Sequence, residues 1–458
     1  MSIVVKSEQF LFYFLFLTIP LQTRKILYYS GWYFNEWQSI SFYLTDLILL
    51  TLFLLWTYRN IWGWQISNFK FLISKQLPNY LITKLPKHDL FLLGFLAVAA
   101  ISVKNSSDFY VGVFLWLKLV EFALLYFYLK TYAIKRFNFI GILYALILGG
   151  VFQAAVAIGQ FLKQDDLGLR WLGESVLSPH MTGVASFFIG SGEKILRAYG
   201  TTPHPNILAA YLFLAIFAFY FLILHRNKPH YLHSHIMIYG SVGYMLMLFG
   251  LFFTFSRTII FLWVVVFLVI ILVIIAMSIR AGSKMTVPVD NRLAKSIIHR
   301  LVALVLVTFI VVGAFSFFYW PEVQSRMILS SEEEAVRLRI FYNKESLGGG
   351  INLFGIGLGD FTSWLMEQNP NLPRHVYQPV HNIYLLVYSE IGIIGFVLFL
   401  LFLISLLKNS FSKKVVGCWL LVVGCLFIGI FDHFLITLQQ GRFVFWLVLT
   451  LLSNYDSI

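Results

Sequence analysis

Residues 258–278 read TIIFLWVVVFLVIILVIIAMS, a run without a single charged side chain. A helix needs about 20 mostly apolar residues to cross the hydrocarbon core of a membrane, because it rises only about 1.5 Å per residue. The run is long enough for one crossing and too apolar for the surface of a soluble protein. It therefore predicts a helix in lipid, and similar runs recur along the rest of the chain.

The composition of the whole chain agrees with this run. Of 458 residues, 59% are hydrophobic, 18% aromatic and only 12% charged, which excludes a soluble globular protein. Because backbone groups in lipid must satisfy one another, separated runs of this length predict an all-α polytopic membrane protein rather than a barrel. We predict about twelve transmembrane helices, at residues 9–21, 41–57, 89–103, 109–129, 138–161, 205–224, 236–254, 258–278, 301–319, 381–405, 415–430 and 441–453.

Basic residues are distributed unevenly among the segments between these runs. Alternate segments contain eighteen Lys and Arg residues and a single acid, and they are residues 58–88, 130–136, 225–235, 279–300 and 406–414. The intervening segments contain equal numbers of basic and acidic residues. By the positive-inside rule, the first set and both termini face the cytoplasm. The net charge of +13 then reflects topology, and no nucleic-acid partner is expected.

Two segments on the predicted external side, residues 162–204 and 320–380, are too long to be simple connections. Both contain aromatic and aliphatic residues, so neither has a disordered composition. In the second, residues 331–347 begin with a serine and three glutamates and then carry apolar residues at helical spacing, which predicts an amphipathic helix. The stretch GGGINLFGIGLGDF then predicts a glycine-rich turn before a short second helix.

Polar and basic residues are concentrated on the same external side. They are Arg197, His204, Asn206, Ser256, Arg257, Arg337, Arg339, His381 and Asn382. Guanidinium groups bind phosphate oxygens in pairs and stay charged where water is scarce, so several arginines at the lipid boundary suit a diphosphate. Histidine exchanges a proton near neutral pH and therefore suits acid–base catalysis. This combination favours an enzyme that acts on a membrane-embedded diphosphate.

Each of these residues also has a structural explanation. Interfacial arginines anchor helices, and a polar residue before a helix can cap it. Glu390 and Asp432 could be intramembrane carboxylates of a transporter, but a transporter also predicts an internal repeat and many deep charges. No internal repeat is evident in the sequence. Lys118 and Glu121 are expected to neutralise each other, and the other charged residues within the predicted spans are mainly Asp46 and Glu390. Composition and spacing alone thus support a polytopic protein with a basic external cavity.

Five motifs resemble, in order, those of the O-antigen ligase and polymerase superfamily. They are RAYGTTPHPNILAAYL (197–212), FTFSRTII (253–260), RLRIF (337–341), LFGIGLGDF (353–361) and the spacing HN-x9-G-x2-G formed by His381, Asn382, Gly392 and Gly395. The resemblance extends over residues 197–405. One short motif would carry little weight, but five in the same order form a specific pattern.

The resemblance implies a GT-C-like membrane glycosyltransferase that uses a polyprenyl-diphosphate-linked glycan as donor and needs no cofactor or metal. It implies that Arg257 and Arg337 hold the donor diphosphate and that His381 acts in catalysis. Arg339 could take the role of Arg337, and Arg197 could assist. The residues expected to support the site are His204, Asn206, Ser256, Asn382 and Glu390.

The resemblance leaves the acceptor open. A ligase of lipopolysaccharide biosynthesis would use a glycolipid hydroxyl, a polysaccharide polymerase another lipid-linked glycan, and a protein O-oligosaccharyltransferase a protein hydroxyl. In each case the reaction would invert the anomeric centre at the outer face of the bacterial inner membrane. The chain departs from the family in having Phe341 where tryptophan is common. We expect residues 1–458 to form one membrane domain, with 197–405 as its ligase-like core.

Overall fold

The computed structural model describes most of the chain. The described residues are 2–65, 85–225, 233–282, 291–327, 334–348, 350, 352–411 and 416–453. Parts of four segments predicted to face the cytoplasm lie outside these ranges, namely 66–84, 226–232, 283–290 and 412–415. The first residues of the predicted external helix, 331–333, also lie outside them.

Helices account for most of the described residues, so the prediction of a mainly helical chain is confirmed. In chain order they are α1 Ser2–Thr18, α2 Leu44–Gln65, α3 Lys87–Ser102, α4 Phe109–Tyr128, α5 Phe139–Lys163, α6 Pro205–His225, α7 His233–Phe253, α8 Arg257–Gly282, α9 Asn291–Phe318, α10 Trp320–Met327, α11 Glu334–Gly348, α12 Phe361–Gln368, α13 Ile383–Phe411, α14 Val416–Phe431, α15 Phe434–Thr437 and α16 Gln439–Ser453. A π-turn, Leu129–Ala133, and one further helical turn, Ile134–Arg136, extend α4.

A helix occupies each of the twelve predicted membrane positions, but these helices differ in length and apolarity. Within the described residues, seven segments are long and apolar enough to cross a membrane, and they are Lys87–Asn105, Phe109–Arg136, Phe139–Lys163, Pro205–Ile223, Arg257–Ala276, Ile298–Phe318 and Ile383–Lys408. Two others, Gly240–Phe253 and Leu420–Phe431, are apolar but shorter. The chain is therefore a multi-pass membrane protein. The number of twelve crossings and the GT-C-like arrangement stay predictions.

Two of the seven segments are packed in opposite ways. The apolar window of Arg257–Ala276 has a mean hydropathy of 3.7, yet only 22% of it is buried by protein, so its other side chains are suited to lipid. In Pro205–Ile223, 78% of the window is buried by protein. The alanines of that helix, Ala209, Ala210 and Ala215, are fully covered, as expected where neighbouring helices approach closely.

Contacts divide the chain into two compact units. Unit 1 comprises residues 1–15, 24–138 and 331–458, and unit 2 comprises residues 16–23 and 139–330. The chain thus leaves unit 1 and returns to it, so residues more than 200 positions apart can meet there.

Close helix contacts form the centre of unit 2. Helices α5, α6 and α7 meet there at small residues. A Cβ atom added to Gly250 would lie 2.8 Å from Ala154, and one added to Gly150 would lie 2.6 Å from the Ala215 side chain. Within lipid the hydrophobic effect does not drive helices together, so such close contact supplies much of the attraction between them.

Unit 1 contains buried ion pairs. Lys118 lies 3.0 Å from Glu121, which confirms the predicted contact, but it also lies 2.5 Å from Asp46. Arg59 meets Glu8 at 2.5 Å. An unpaired charge is costly in a poorly hydrated interior, and these pairings reduce that cost.

Two short antiparallel hairpins depart from the all-α prediction. Strand β1, Arg24–Tyr29, pairs with β2, Ser39–Tyr43, in unit 1. Strand β3, Ser186–Phe188, pairs with β4, Lys194–Leu196, in unit 2. The sequence predicts loops for β1, β3 and β4, and it places residues 41–43 of β2 in the helix predicted at 41–57, which in the structure begins at Leu44. Strands of three to six residues give little periodic signal beside long apolar runs.

Candidate active site

Asn382 determines where helix α13 begins. Its side-chain oxygen accepts the backbone N–H groups of Tyr384 at 2.9 Å and of Leu385 at 3.1 Å. This is a helix N-cap, which supplies a partner for amides that the first turn cannot pair internally. His381, one residue earlier, is thereby held just outside the helix end.

The imidazole of His381 is oriented by the main chain. Its Nδ1 lies 3.1 Å from the carbonyl oxygen of Pro379. A carbonyl oxygen can only accept, so Nδ1 carries the proton in this contact and Nε2 carries the lone pair. Within the described residues Nε2 has no hydrogen-bond partner. The lone pair of Nε2 is therefore the hydrogen-bond acceptor of this ring.

Aromatic rings enclose His381 within unit 1. Tyr342 of α11 stacks on it with 5.3 Å between ring centres and an interplanar angle of 6°. His433, between α14 and α15, meets it perpendicularly at 4.8 Å, and Trp37 meets His433 perpendicularly at 4.9 Å. These contacts fix the plane of the imidazole.

Sequence reasoning does not identify His433 or Trp37 as site residues. The signal for His433 is the polar pair Asp432–His433 between two apolar runs. Trp37 has no such local signal, since it lies in a segment rich in aromatic residues. Its place beside His433 depends on a contact between residues almost 400 positions apart.

The environment of His381 favours the neutral ring. Burial lowers the pKa of the His381 imidazole below its ordinary value. The nearby carboxylate of Asp432 raises that pKa in part, and the guanidinium of Arg339 lowers it. A lowered pKa keeps the lone pair of Nε2 available at neutral pH, as a general base requires.

The two arginines of α11 point in different directions. Positions 337 and 339 are separated by about 200° around a helix. Arg337 is exposed, whereas Arg339 is partly buried and acts electrostatically on His381. Arg339 also precedes Tyr342 by three residues, so both lie on the face of α11 that meets His381. Its Nε atom is buried without a hydrogen-bond partner in the described part of the chain.

The glycine-rich turn is joined to α13 through main-chain hydrogen bonds. The N–H of Ile356 donates to the carbonyl of Ser389 at 2.9 Å, and that of Gly357 donates to the carbonyl of Glu390 at 3.1 Å. These carbonyls need outside partners because α13 is interrupted at Gly392, where φ is 81° and ψ is −178°. The membrane segment predicted at 381–405 is found as helix α13, which begins at residue 383 and contains a break at residue 392.

Two glycines make this approach possible. A Cβ atom on Gly392 would lie 2.4 Å from the carbonyl oxygen of Leu353, and one on Gly355 would lie 2.3 Å from the main chain of Glu390. A side chain at either position would push the turn away from the helix. The glycine spacing in the motifs thus reflects contact of one backbone with another.

Glu390 takes part in the same junction. Its Oε1 accepts the backbone N–H of Phe361, at the start of α12, at 3.4 Å. The contact ties α12 and the glycine-rich turn to α13. The supporting role expected of Glu390 stays a prediction. This hydrogen bond is one way in which Glu390 could support the site, by holding α12 against α13.

Arg197 organises its own motif in unit 2. Its Nε donates to the carbonyl of Thr254 at 2.7 Å, and its Nη2 donates to Oδ1 of Asn206 at 2.7 Å. The backbone N–H of Asn206 donates to Nδ1 of His204 at 3.2 Å. Arg197 therefore connects the loop before α6 with the end of α7.

Arg257 is the first residue of helix α8, also in unit 2. Its Nε donates to the carbonyl of Arg326 at 2.8 Å, which orients the guanidinium plane. Ser256 is buried, and Phe255 has a φ of 44°, a value uncommon for a residue other than glycine. The chain turns sharply here, and the first amides of α8 and the Arg257 side chain come together at one helix end.

The predicted site residues fall into two groups. Unit 1 contains Arg337, Arg339, His381, Asn382 and Glu390, and Arg339 and His381 are neighbours there. The residues in unit 2 are Arg197, His204, Asn206, Ser256 and Arg257. The roles assigned to these residues stay predictions.

Comparison with known families supports the resemblance. Residues 242–400 match the family model described as O-antigen ligase. This segment contains Arg257, both arginines of α11 and His381, and it begins after the motif at 197–212. A search of curated proteins finds no match.

Proposed function

Starting from an O-antigen ligase domain at residues 242–400, we propose that this membrane protein transfers a glycan from a polyprenyl-diphosphate carrier to an acceptor hydroxyl. The reaction takes place at the external face of the bacterial inner membrane, in accord with the charge distribution of the loops. The observation that carries the proposal is His381, a histidine whose Nδ1 is held by the Pro379 carbonyl and whose Nε2 is left to accept a proton.

The donor diphosphate is bound by arginines. Arg257 is suited to this role because a helix N-terminus and a guanidinium both attract anions at the same place. On α11, the burial of Arg339 and its proximity to His381 favour it over the exposed Arg337 as the second donor ligand. Arg197, whose Nε and Nη2 are engaged with Thr254 and Asn206, is assigned to positioning.

The reaction needs only the residues of the chain. The acceptor hydroxyl loses its proton to Nε2 of His381 as its oxygen attacks the anomeric carbon from the face opposite the carrier. The bond between the anomeric carbon and the diphosphate oxygen breaks, and the polyprenyl diphosphate leaves with the electron pair. Negative charge therefore grows on the diphosphate, where arginines stabilise the transition state more than the ground state. The product has inverted anomeric configuration.

Substitution in cells tests the proposal. The variants His381→Ala and Arg257→Ala should accumulate lipid-linked glycan and lose the glycosylated product. His375→Ala is the matched control, because His375 is an exposed histidine of the same loop region. Normal product in both site variants, at equal protein level, would refute the assignment.

The acceptor is identified by the sizes of the glycans that accumulate. Loss of a ligase leaves long chains on the carrier lipid, whereas loss of a polymerase leaves single units on the final acceptor. Loss of a protein O-oligosaccharyltransferase removes glycan from proteins only. A transporter would give a different result, since lipid-linked glycan would collect on the cytoplasmic side.

A further inference from the structure

The hairpin β1–β2 of unit 1 exposes many apolar and aromatic side chains. Every residue of β1 from Lys25 to Tyr29 is exposed, and Leu27 is 60% exposed. The turn after β1 adds Trp32, which is fully exposed, and Phe34, whose ring centre lies 6.0 Å from that of Tyr29. An exposed apolar patch of this kind marks a surface that a partner covers. The hairpin patch consists of Ile26, Leu27, Tyr28, Tyr29, Trp32 and Phe34.

The hairpin patch is attached to the end of a membrane-crossing helix. The hydroxyl of Tyr28 donates to Oδ2 of Asp108 at 2.8 Å. The other oxygen of Asp108 accepts the backbone N–H groups of Tyr110 and Val111, so Asp108 is the N-cap of α4. The membrane segment Phe109–Arg136 begins at the next residue and has 28 residues. A helix of that length rises about 42 Å, close to the roughly 40–45 Å of a bilayer with its headgroups. Tyr28 is therefore held at the level of the headgroup layer.

Two requirements of the hairpin agree with this depth. Within the described residues β1 pairs only with β2, so the main-chain groups on its outer edge need water or lipid headgroups as partners. The side chains of Leu27 and Trp32 are instead more stable among acyl chains. The boundary between headgroups and acyl chains satisfies both, and tryptophan and tyrosine are enriched there. Lys25, which is exposed on β1, can extend its ammonium to lipid phosphates.

A protein partner fits the same surface less well. An exposed edge strand can pair with a strand of another protein. The register of β1 and β2, however, shifts between Ile26 and Tyr28, and such a bulge interrupts the regular pairing that an added strand requires. Trp32 also lies beyond the end of β1, in the turn. A lipid surface is fluid and needs no register, so lipid is the better match.

The turn of the hairpin is held in place by other parts of unit 1. The guanidinium of Arg374 lies over the ring of Tyr33, 4.4 Å from its centre. The side-chain amide of Gln38 donates to the hydroxyl of Ser363 in α12. Because these contacts order the turn in advance, docking on lipid costs little conformational entropy.

We propose that the hairpin patch docks on the headgroup layer of the bilayer, on the side of the membrane where α4 begins. Trp32 and Leu27 reach the outermost part of the acyl chains, and the main chain of β1 stays among the headgroups. The proposal is independent of the proposed function, because it requires a phospholipid bilayer and no glycan.

Spin labels on the full chain in phosphatidylcholine vesicles test the proposal. The two cysteines of the chain are first changed, as Cys418→Ala and Cys425→Ala, and a nitroxide is attached to a new cysteine. Collisions of the label with oxygen, which concentrates among acyl chains, are compared with collisions with a nickel chelate, which stays in water. The ratio of the two collision rates rises with depth in the bilayer.

Three label positions give the comparison. Phe34→Cys reports on the hairpin patch, and Asn371→Cys on an exposed polar position of the same unit. Phe309→Cys reports on the middle of the membrane segment Ile298–Phe318, where the side chain is 60% exposed. We expect the ratio at position 34 to lie between the other two. A value equal to that at position 371 would place the patch in water, and a value equal to that at position 309 would place it in the acyl core. Either result would overturn the proposal.

A second substitution tests the contribution of Trp32. In the protein labelled at position 34, Trp32→Ser should move the ratio toward the value at position 371, whereas Trp32→Phe should retain the original value. Because Trp32 is fully exposed, neither change should alter the melting temperature in detergent. An unchanged ratio in Trp32→Ser would contradict docking through the patch. A label that is open to the nickel chelate in vesicles but protected in native membranes would assign the patch to a protein partner instead.

Discussion

His381 and Arg257 both stand at the start of a long apolar helix, and each has one nitrogen held by a backbone carbonyl. Their surroundings differ. His381 is enclosed by Tyr342 and His433, and burial lowers its pKa. The charges of Asp432 and Arg339 shift that pKa further, in opposite directions. A guanidinium stays charged in almost any surroundings and needs only the right direction. Unit 1 thus contains a histidine whose protonation depends on its surroundings, whereas unit 2 contains an arginine whose charge is constant and whose orientation is held by a hydrogen bond.

The largest effect is expected from removing the base. His381→Gln retains the approximate shape of the side chain but cannot take the proton, so kcat should fall by about 100- to 10,000-fold. The donor KM should change little. Initial rates with a saturating lipid-linked donor measure both. A decrease of less than tenfold would exclude His381 as the general base.

A smaller but substantial loss is expected from changing the direction of the cation. Arg257→Lys keeps the charge and loses the planar pair of donors, so kcat/KM for the donor should fall by about 10- to 150-fold, as for one charged hydrogen bond. Arg374→Lys is the control, since Arg374 is exposed. Full activity of Arg257→Lys would show that charge alone suffices there.

The arginines of α11 provide an internal control. Arg339→Gln should lower kcat/KM by about tenfold or more, because Arg339 faces the histidine site, while Arg337→Gln should have an effect below about threefold. Both variants remove one charge from the same helix. The reverse order would assign the donor contact to Arg337, as the family resemblance implies.

The pH dependence of glycan transfer should be determined by residues of unit 1, and substitutions in unit 2 should not change it. Because the pKa of His381 is lowered, transfer should be maintained to a pH below the ordinary histidine value and then decline as the ring is protonated. Asp432→Asn removes a carboxylate that raises this pKa, so the acidic limb should move to lower pH. Arg257→Lys should leave the limb in place. A pH–rate profile that moves with Arg257 and not with Asp432 would contradict the division.

The smallest effect is expected at the cap of α13. Asn382→Ala removes two hydrogen bonds to the first turn, which should lower the free energy of unfolding by about 0.5–2 kcal/mol. Asn382→Asp should retain most of the wild-type free energy of unfolding, because a carboxylate is also a good helix N-cap. Chemical denaturation in detergent measures both. An unchanged stability in the alanine variant would mean that the cap does not control this helix end.

Much of the fold follows from local sequence. The apolar composition of runs such as 258–278 is enough to predict a helix in lipid, and helices occur at all twelve predicted positions. The glycine-rich turn and the short helices around it are also predictable, because glycine and helix-start signals act over a few residues. The hairpins β1–β2 and β3–β4 are not predicted from the sequence. Each strand is stabilised mainly by hydrogen bonds to its partner strand, and local sequence does not show that pairing.

The candidate site shows the same division. Motif spacing identifies His381 and limits the second arginine to Arg337 or Arg339, since those choices depend on residue type and order. Tertiary contact favours Arg339, brings His433 beside the imidazole and places Trp37 against His433. These contacts join residues from distant parts of the chain, and no local pattern records them.

The sequence is sufficient to identify a helical membrane protein whose residues 242–400 match the O-antigen ligase family model, because lipid selects apolar runs and short motifs depend on residue type and order. Three features depend on tertiary contacts, and they are the break of α13 at Gly392, the hydrogen bonds that the turn at 352–360 supplies there, and the orientation of His381 by the Pro379 carbonyl. Hydropathy is a property of each residue and its neighbours along the chain, so the membrane helices can be predicted from the sequence. Protonation and backbone pairing depend on groups that folding brings within a few ångströms.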